Sequence, residues 1–166
     1  MLQYDRILIC PRSKMDYHIN NPHHLAEFIR LNELWISHYF ALEKADKDLA
    51  AHPDQISEKG GFVISLAQDA QVAAVCALFN KGNDVYELAR MTVHPDFRSR
   101  GLAHQLMETC FKQLKRIKAK KVYLVSNTQL KPAIQLYKKH GFITTHQGPH
   151  PDYQRADIVM EKKLNK

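Results

Sequence analysis

Two apolar periods alternate along this chain, and the switches between them mark its elements. Leu25, Phe28, Ile29, Leu31, Leu34, Trp35, Ile36, Tyr39, Phe40 and Leu42 recur at helical spacing. The stripe is wide and the helix long, which predicts packing on a sheet. Asn21-Pro22 punctuates its start. A short helix is predicted over residues 44–51, stopped by Pro53, with a loop over residues 56–61. Residues 61–67 (GFVISLA) and 71–79 (QVAAVCALF) read as strands joined by a hairpin-sized connection. After the turn signal Lys81-Gly82-Asn83-Asp84, residues 85–93 read as a third strand and complete an antiparallel meander.

Leu102, Leu106, Cys110, Leu114 and Ile117 mark one face of a helix over residues 101–119, and a strand follows at residues 121–126. Strand, helix, strand makes a crossover, so strands 85–93 and 121–126 should be parallel. A last helix covers residues 131–140, with Pro132 in its first turn and Gly141 just past its end. Strands at residues 142–145 and 157–162 close the chain. Residues 6–10 and 17–20 also have strand composition, as one strand or two, with Pro11 between them. The sum is an α+β (mixed α/β) fold in one domain over residues 1–166. Its sheet is mixed and mostly antiparallel, with helices on both faces.

Composition narrows the class. Hydrophobic content of 45% and charged content of 25% are those of an ordinary globular protein. No apolar run approaches the ~20 residues of a membrane helix. Residues 1–9 are too short and too mixed for a secretory signal, so the expected compartment is the cytoplasm, with no membrane partner. Cys10, Cys76 and Cys110 lie far apart without a CxxC pair, which argues against a disulfide framework or a zinc site. Cys76 and Cys110 fall on apolar faces and read as core. The ten histidines form no ligand set: His23 and His24 are adjacent, and His146 and His150 share a loop. No metal is expected. The net charge of +7 is either a solvated surface or an attraction for an anionic ligand. Lys112, Lys115, Arg116, Lys118, Lys120 and Lys121 cluster without any nucleic-acid motif, so nucleic acid is disfavoured as a partner.

The chemistry concentrates around residues 87–103. A strand–loop–helix turn leaves free N–H groups at the positive end of a helix dipole, which makes an anion site. Arg98, Ser99, Arg100, Gly101, Leu102 and Ala103 form that turn. Gly101 and the small Ala103 allow a bulky diphosphate to approach the backbone. Strict alternation along residues 85–93 puts Glu87 on the face of Ala89, Met91 and Val93. A carboxylate on an apolar face is costly unless paired or protonated. Glu87 is therefore either a general base or the partner of Arg90 or a neighbouring lysine. Asn127, directly after a strand, is a turn residue or a ligand contact. Tyr137, mid-helix, is a core tyrosine or a proton donor that stays protonated at neutral pH, given a reference pKa of ~10. No Ser or Cys has the flanking pattern of an activated nucleophile.

Together these residues resemble the GNAT superfamily of acyl-CoA-dependent N-acyltransferases. Arg98-x-x-Gly101-x-Ala103 matches the family's Q/R-x-x-G-x-G/A motif, and Glu87 stands eleven residues before it, where many members carry their base. Asn127 and Tyr137, in SNTQLKPAIQLYKKHGF, match the second conserved block, which ends in Gly141-Phe142. The resemblance covers residues 85–142; residues 31–61 and 153–160 are also similar to a bacterial single-domain subgroup. It implies that acetyl-CoA, with no metal, lies in a V-shaped gap between the strand ending at Val93 and the strand starting near Lys121. Met91, Thr92 and Val93 would hold the pantetheine arm. N–H groups from Arg98 to Ala103 would hold the diphosphate. Asn127 would approach the pantetheine, and Tyr137 would sit near the thioester sulfur.

The implied reaction is direct attack. Glu87, itself or through water, deprotonates a primary amine, an N–H near Val93 faces the oxyanion, and Tyr137 protonates the leaving thiolate. The first helices of this fold flank the acceptor, which brings in Asn32, Trp35 and Tyr39; Tyr153 and Arg155 from the closing loop are further acceptor-side candidates. Trp35 and Tyr39 also read as packing residues, and Arg155 suits an acceptor carboxylate. The implied activity is N-acetylation of a small metabolite or amino-acid-like amine. Alternatives are acetylation of a protein lysine or N-terminus, or a non-catalytic acyl-CoA-binding module. A homodimer follows by analogy with the superfamily.

Overall fold

The computed structural model describes residues 14–164. In chain order the elements are β1 (Asp16–Ile19), α1 (Leu25–Tyr39), α2 (Lys44–Ala51), α3 (Gln55–Glu58), β2 (Phe62–Gln68), β3 (Gln71–Asn80) and β4 (Val85–Val93). Then come α4 (Leu102–Arg116), β5 (Lys121–Ser126), α5 (Lys131–Lys139), β6 (Ile143–Gln147) and β7 (Ile158–Lys163). The seven strands form one sheet in the order β1-β2-β3-β4-β5-β7-β6. Among the described residues only β4 and β5 pair in parallel, as the crossover through α4 requires.

The meander follows from its turns. Asp69 and Ala70 both have positive φ (50° and 64°), the backbone of a two-residue turn whose twist matches a hairpin. β2 and β3 are apolar on both sides and are covered on both. On one face Val63, Val72, Val75 and Ala77 pack against Phe28 and Leu31 of α1, Leu49 of α2 and Ile56 of α3. On the other, Ile64, Cys76 and Leu78 pack against Leu106, Met107, Cys110 and Leu114 of α4. α5 joins this second layer through Ile134, Leu136 and Tyr137. Leu106 is fully buried, so Leu106→Ala would cost about 2–5 kcal/mol. Cys76 and Cys110 are free core thiols with sulfurs 3.2 Å apart. No helix of the described residues is long and apolar enough to cross a membrane.

Several boundaries differ from the sequence pattern, among them the end of α4, at Arg116 rather than residue 119. α1 stops at Tyr39 because Phe40 turns extended (φ −145°) while its N–H still reaches Ile36 O at 2.7 Å. The expected loop at residues 56–61 contains the last three residues of α3, anchored by buried Ile56. β6 begins one residue later than expected and runs to Gln147. Residues 17–20 fall at β1, whereas residues 6–10 lie outside the described residues.

Candidate active site

β4 and β5 pair over only three residues, from Val85 opposite Lys121 to Glu87 opposite Tyr123. Beyond that point they part. The gap widens into a cleft of about 610 Å³. β4 thus runs six residues further with no ladder partner on its β5 side. The helices divide the cleft into an α1 side and an α4–α5 side.

A bulge in β4 decides which side chains face which side. Ala89 opposes Ala77 and Thr92 opposes Val75, so Arg90 and Met91 together face the single residue Cys76. Arg90 takes up the extra residue with φ 59°. The alternation slips by one at this point. Glu87 and Ala89 share the α1 face with their cross-strand partners Phe79 and Ala77. Met91 and Val93 pack into the α4 layer instead. The single face expected for Glu87, Ala89, Met91 and Val93 is therefore corrected: an extra residue in a pleated strand inverts every side chain that follows.

On the α4–α5 side, Met91, Val93, Arg98 and Ala103 line the cleft opposite Asn127 and Tyr137. Thr92 also lines it, from the other face of β4. The turn into α4 carries Ser99 and Gly101 at positive φ (59° and 73°). Gly101 occupies the N-cap and offers no side-chain hydrogen bond, and the first intrahelical bond is from Gln105 N to Gly101 O. The N–H groups of the first turn are left without a capping side chain, a setting that suits an anion. Leu102 is buried in the core and fixes the helix start. The Arg100 side chain turns back on its own loop, 5.0 Å over the Phe97 ring and 3.1 Å from Asp96 O. Ser99, Arg100, Gly101 and Leu102 do not line the cleft; His104, which the sequence did not single out, does.

Asn127 is a turn residue that also lines the cleft. Its Nδ2 donates to Arg155 O at 2.8 Å, and its Oδ1 accepts from Gln129 N at 2.9 Å. Tyr137 packs edge-on to Phe142, with ring centroids 6.0 Å apart. Burial, with Cys76 nearby, pushes its phenol up to about 12, so it holds its proton throughout the neutral range.

The α1 side is built from charges and rings. Glu87 is buried, and its Oε2 accepts from Lys81 Nζ at 3.1 Å and from the Tyr123 hydroxyl at 3.3 Å. The ion pair with a neighbouring lysine is thus present, and Glu87 lines the cleft as well. Burial, then the Glu87 carboxylate, pushes Tyr123 up to about 12. Lys81 is held above its ordinary value because attraction to Glu87 outweighs partial burial.

Arg90 pairs with Asp46 rather than with Glu87. Asp46 is 3% exposed and accepts from Arg90 and from both Nη atoms of Arg155, at 2.7 and 2.8 Å. Burial would raise its carboxyl, but Arg155, the Glu43 N–H and Arg90 hold it down at about 2. Glu43 adds a second carboxylate 3.6 Å from Arg155. Asn32 is buried and donates to Phe28 O at 2.8 Å. Trp35 and Tyr39 line the cleft with rings 5.2 Å apart, and Tyr153 and Arg155 line it from the loop before β7.

Sequence reasoning missed Asp46, Lys81 and Tyr123. Tyr123 was reachable in principle, since a parallel register pairing the two strand starts sets it beside Glu87. Asp46 sits in KADKDLAA, which reads as a solvated helix and carries no signal of burial.

Comparison with known proteins agrees with this fold. The family model described as Acetyltransferase (GNAT) family matches residues 28–142. Comparison with curated protein sequences gives no match. Among solved structures, a GNAT-family acetyltransferase from Staphylococcus aureus Mu50 superposes with a TM-score of 0.81 at 16% identity, covering 92% of this chain and 100% of that one. The ribosomal-protein-S18-alanine N-acetyltransferase from Escherichia coli gives 0.73 at 19% identity, covering 92% and 96%. The acetyltransferase yncA from Salmonella typhimurium, solved with its cofactor acetyl-CoA, gives 0.74 at 16% identity, covering 93% and 96%. At these identities the likeness is one of fold. The family assignment rests on the match over residues 28–142, and by it this chain belongs to the GNAT family of acetyltransferases, enzymes that draw their acyl group from acyl-CoA.

Proposed function

We propose that the protein transfers the acetyl group of acetyl-CoA to a small primary amine by direct attack in the cleft between β4 and β5. The observation that carries this reading is that Glu87 and Tyr137 line one cleft from opposite sides of the sheet, at the place where the two strands part.

The residues present fit acetyl-CoA. An extended arm with amide groups suits the β5-side edge of Met91, Thr92 and Val93, which has no ladder partner. A diphosphate suits the uncapped turn from Arg98 through Ser99, Arg100, Gly101 and Leu102 to Ala103. Asn127 and Tyr137 close this side. Acetyl-CoA supplies an acyl group already activated as a thioester. Glu87 takes the proton from the acceptor amine, which is mostly protonated in water at a reference pKa of ~10.4. Lys81 and Tyr123 both engage Oε2 and leave Oε1 for the incoming amine or a bridging water. Tyr137 keeps a proton at its phenol oxygen for the leaving sulfur. Asn32, Trp35, Tyr39, Tyr153 and Arg155 form the acceptor side.

Glu87→Gln and Tyr137→Phe test the assignment. Each should lower kcat by ~10²–10⁴ while the melting temperature shift on adding acetyl-CoA is retained. If both variants keep wild-type rates across the pH range, Glu87 and Tyr137 have no proton-transfer role.

A further inference from the structure

The charges on the α1 side of the cleft cancel. Arg90 and Arg155 converge on Asp46, with Glu43 beside Arg155, and Lys81 meets Glu87. Among the described residues here, each cation already has a carboxylate in contact. A carboxylate entering this side would have to compete with Asp46 for Arg155, whose two Nη atoms are both engaged. The Arg155 side chain is therefore a clamp joining the loop before β7 to α2, rather than a receptor for an acceptor's carboxylate.

The remaining lining is aromatic. Trp35 stacks at a tilt on Tyr39 (5.2 Å) and Phe40 (6.0 Å) where α1 ends. Trp35, Tyr39 and Phe40 belong to neither core cluster, and Tyr39 is 51% exposed. Phe79 lies directly across from Glu87 on the neighbouring strand, and Tyr153 lines the same space. Tyr39 is open to water and Trp35 and Phe40 are half-buried, so this end of α1 offers the cleft a ring surface for an apolar partner.

We propose that the acceptor is a small primary amine with an aromatic or extended apolar body and no carboxylate, its body lying on the Trp35–Tyr39–Phe40 surface and its nitrogen at Glu87. This rests on the acetyltransferase reading above. It narrows the acceptor class by two features, the neutral charge balance and the ring surface.

The test is a panel of amines, read by thiol release and by product mass: 2-phenylethylamine, phenylalanine, n-propylamine, spermidine and a short peptide with a free N-terminal alanine. Phenylethylamine should exceed phenylalanine and propylamine in kcat/KM by at least about tenfold. Trp35→Ala and Tyr39→Ala should each cut its advantage over propylamine to within about threefold, mainly through KM. Asp46→Asn removes one negative charge from the clamp and should raise the rate for phenylalanine relative to phenylethylamine. Melting with acetyl-CoA reports whether each variant is folded and cofactor-competent. A wild-type preference for phenylalanine, spermidine or the peptide overturns the proposal, as does an unchanged preference in folded Trp35→Ala and Tyr39→Ala. In those outcomes acetyl transfer itself still stands. No acetyl-CoA shift and no turnover of any amine sinks the acetyltransferase reading and this inference with it.

Discussion

The two sides of the cleft are built by different means. The α4–α5 side is a backbone site: an unpaired strand edge, a turn with two residues at positive φ, and an uncapped helix start. Of its two arginine side chains, Arg98 lines the cleft and Arg100 lies folded on Phe97. The α1 side is a side-chain site, in which one buried carboxylate gathers two guanidiniums from distant parts of the chain. A backbone site depends on conformation and tolerates most side-chain changes. A side-chain site weakens when one member is removed, because a buried charge loses part of what compensates it.

The largest expected break follows on the α1 side. Arg155→Ala strips both Nη donors from Asp46 but leaves it Arg90 and the Glu43 N–H, and should cost about 2–3 kcal/mol in urea unfolding. A loss under 1 kcal/mol would mean the clamp is merely a surface pair. Next comes acid. Asp46 sits at about 2 when folded, below the ordinary value of 3.8, so its contribution is present above pH ~4 and lost as pH falls toward 2. Wild type should lose about 2 kcal/mol over that window from this group, and the difference in stability between wild type and Asp46→Asn should shrink in parallel. Equal acid slopes for the two proteins would contradict the burial of this carboxylate.

On the α4–α5 side the effects are conformational and smaller. Gly101 has φ 73°, and an added Cβ there would meet nothing within 4 Å. Gly101→Ala should therefore act through backbone strain alone, costing roughly 1–2 kcal/mol and about tenfold in acetyl-CoA affinity by calorimetry. Gly101→Asn, which adopts this conformation more readily, should do less. If both variants bind equally poorly, space rather than conformation governs the turn. Smallest of all, Arg100→Ala should change acetyl-CoA affinity by no more than roughly threefold, because its guanidinium is exposed and turned onto its own loop.

The same contrast explains what could be read from the chain alone. The anion turn, the crossover and the carboxylate on β4 lie within residues 85–142, and their signals are local: a glycine at a helix start, a change of period, a motif of fixed spacing. The meander was legible for the same reason. The α1 side was not. Asp46 and Arg155 are 109 residues apart, and neither carries a local mark of its partner. The bulge escaped because an arginine, not a glycine or asparagine, takes the positive φ at residue 90. Missing it set Glu87 on the wrong face relative to Met91 and Val93, although Glu87 still lines the cleft. Tyr123 depends on the register of a parallel pair, which hydrophobic patterning does not fix, and Lys81 reaches Glu87 from the turn of the β3–β4 hairpin.

The central claim is that this cleft moves an acetyl group onto an amine with Glu87 as base. Mass balance tests it most directly: acetyl-CoA carrying a labelled acetyl group is incubated with 2-phenylethylamine, and free CoA, N-acetyl product and protein mass are followed together. Product and free CoA should appear one to one, with no label on the protein, and the rate should fall ~10²–10⁴ in Glu87→Gln. Consumption of acetyl-CoA without labelled amine, or an undiminished rate in Glu87→Gln, would contradict it.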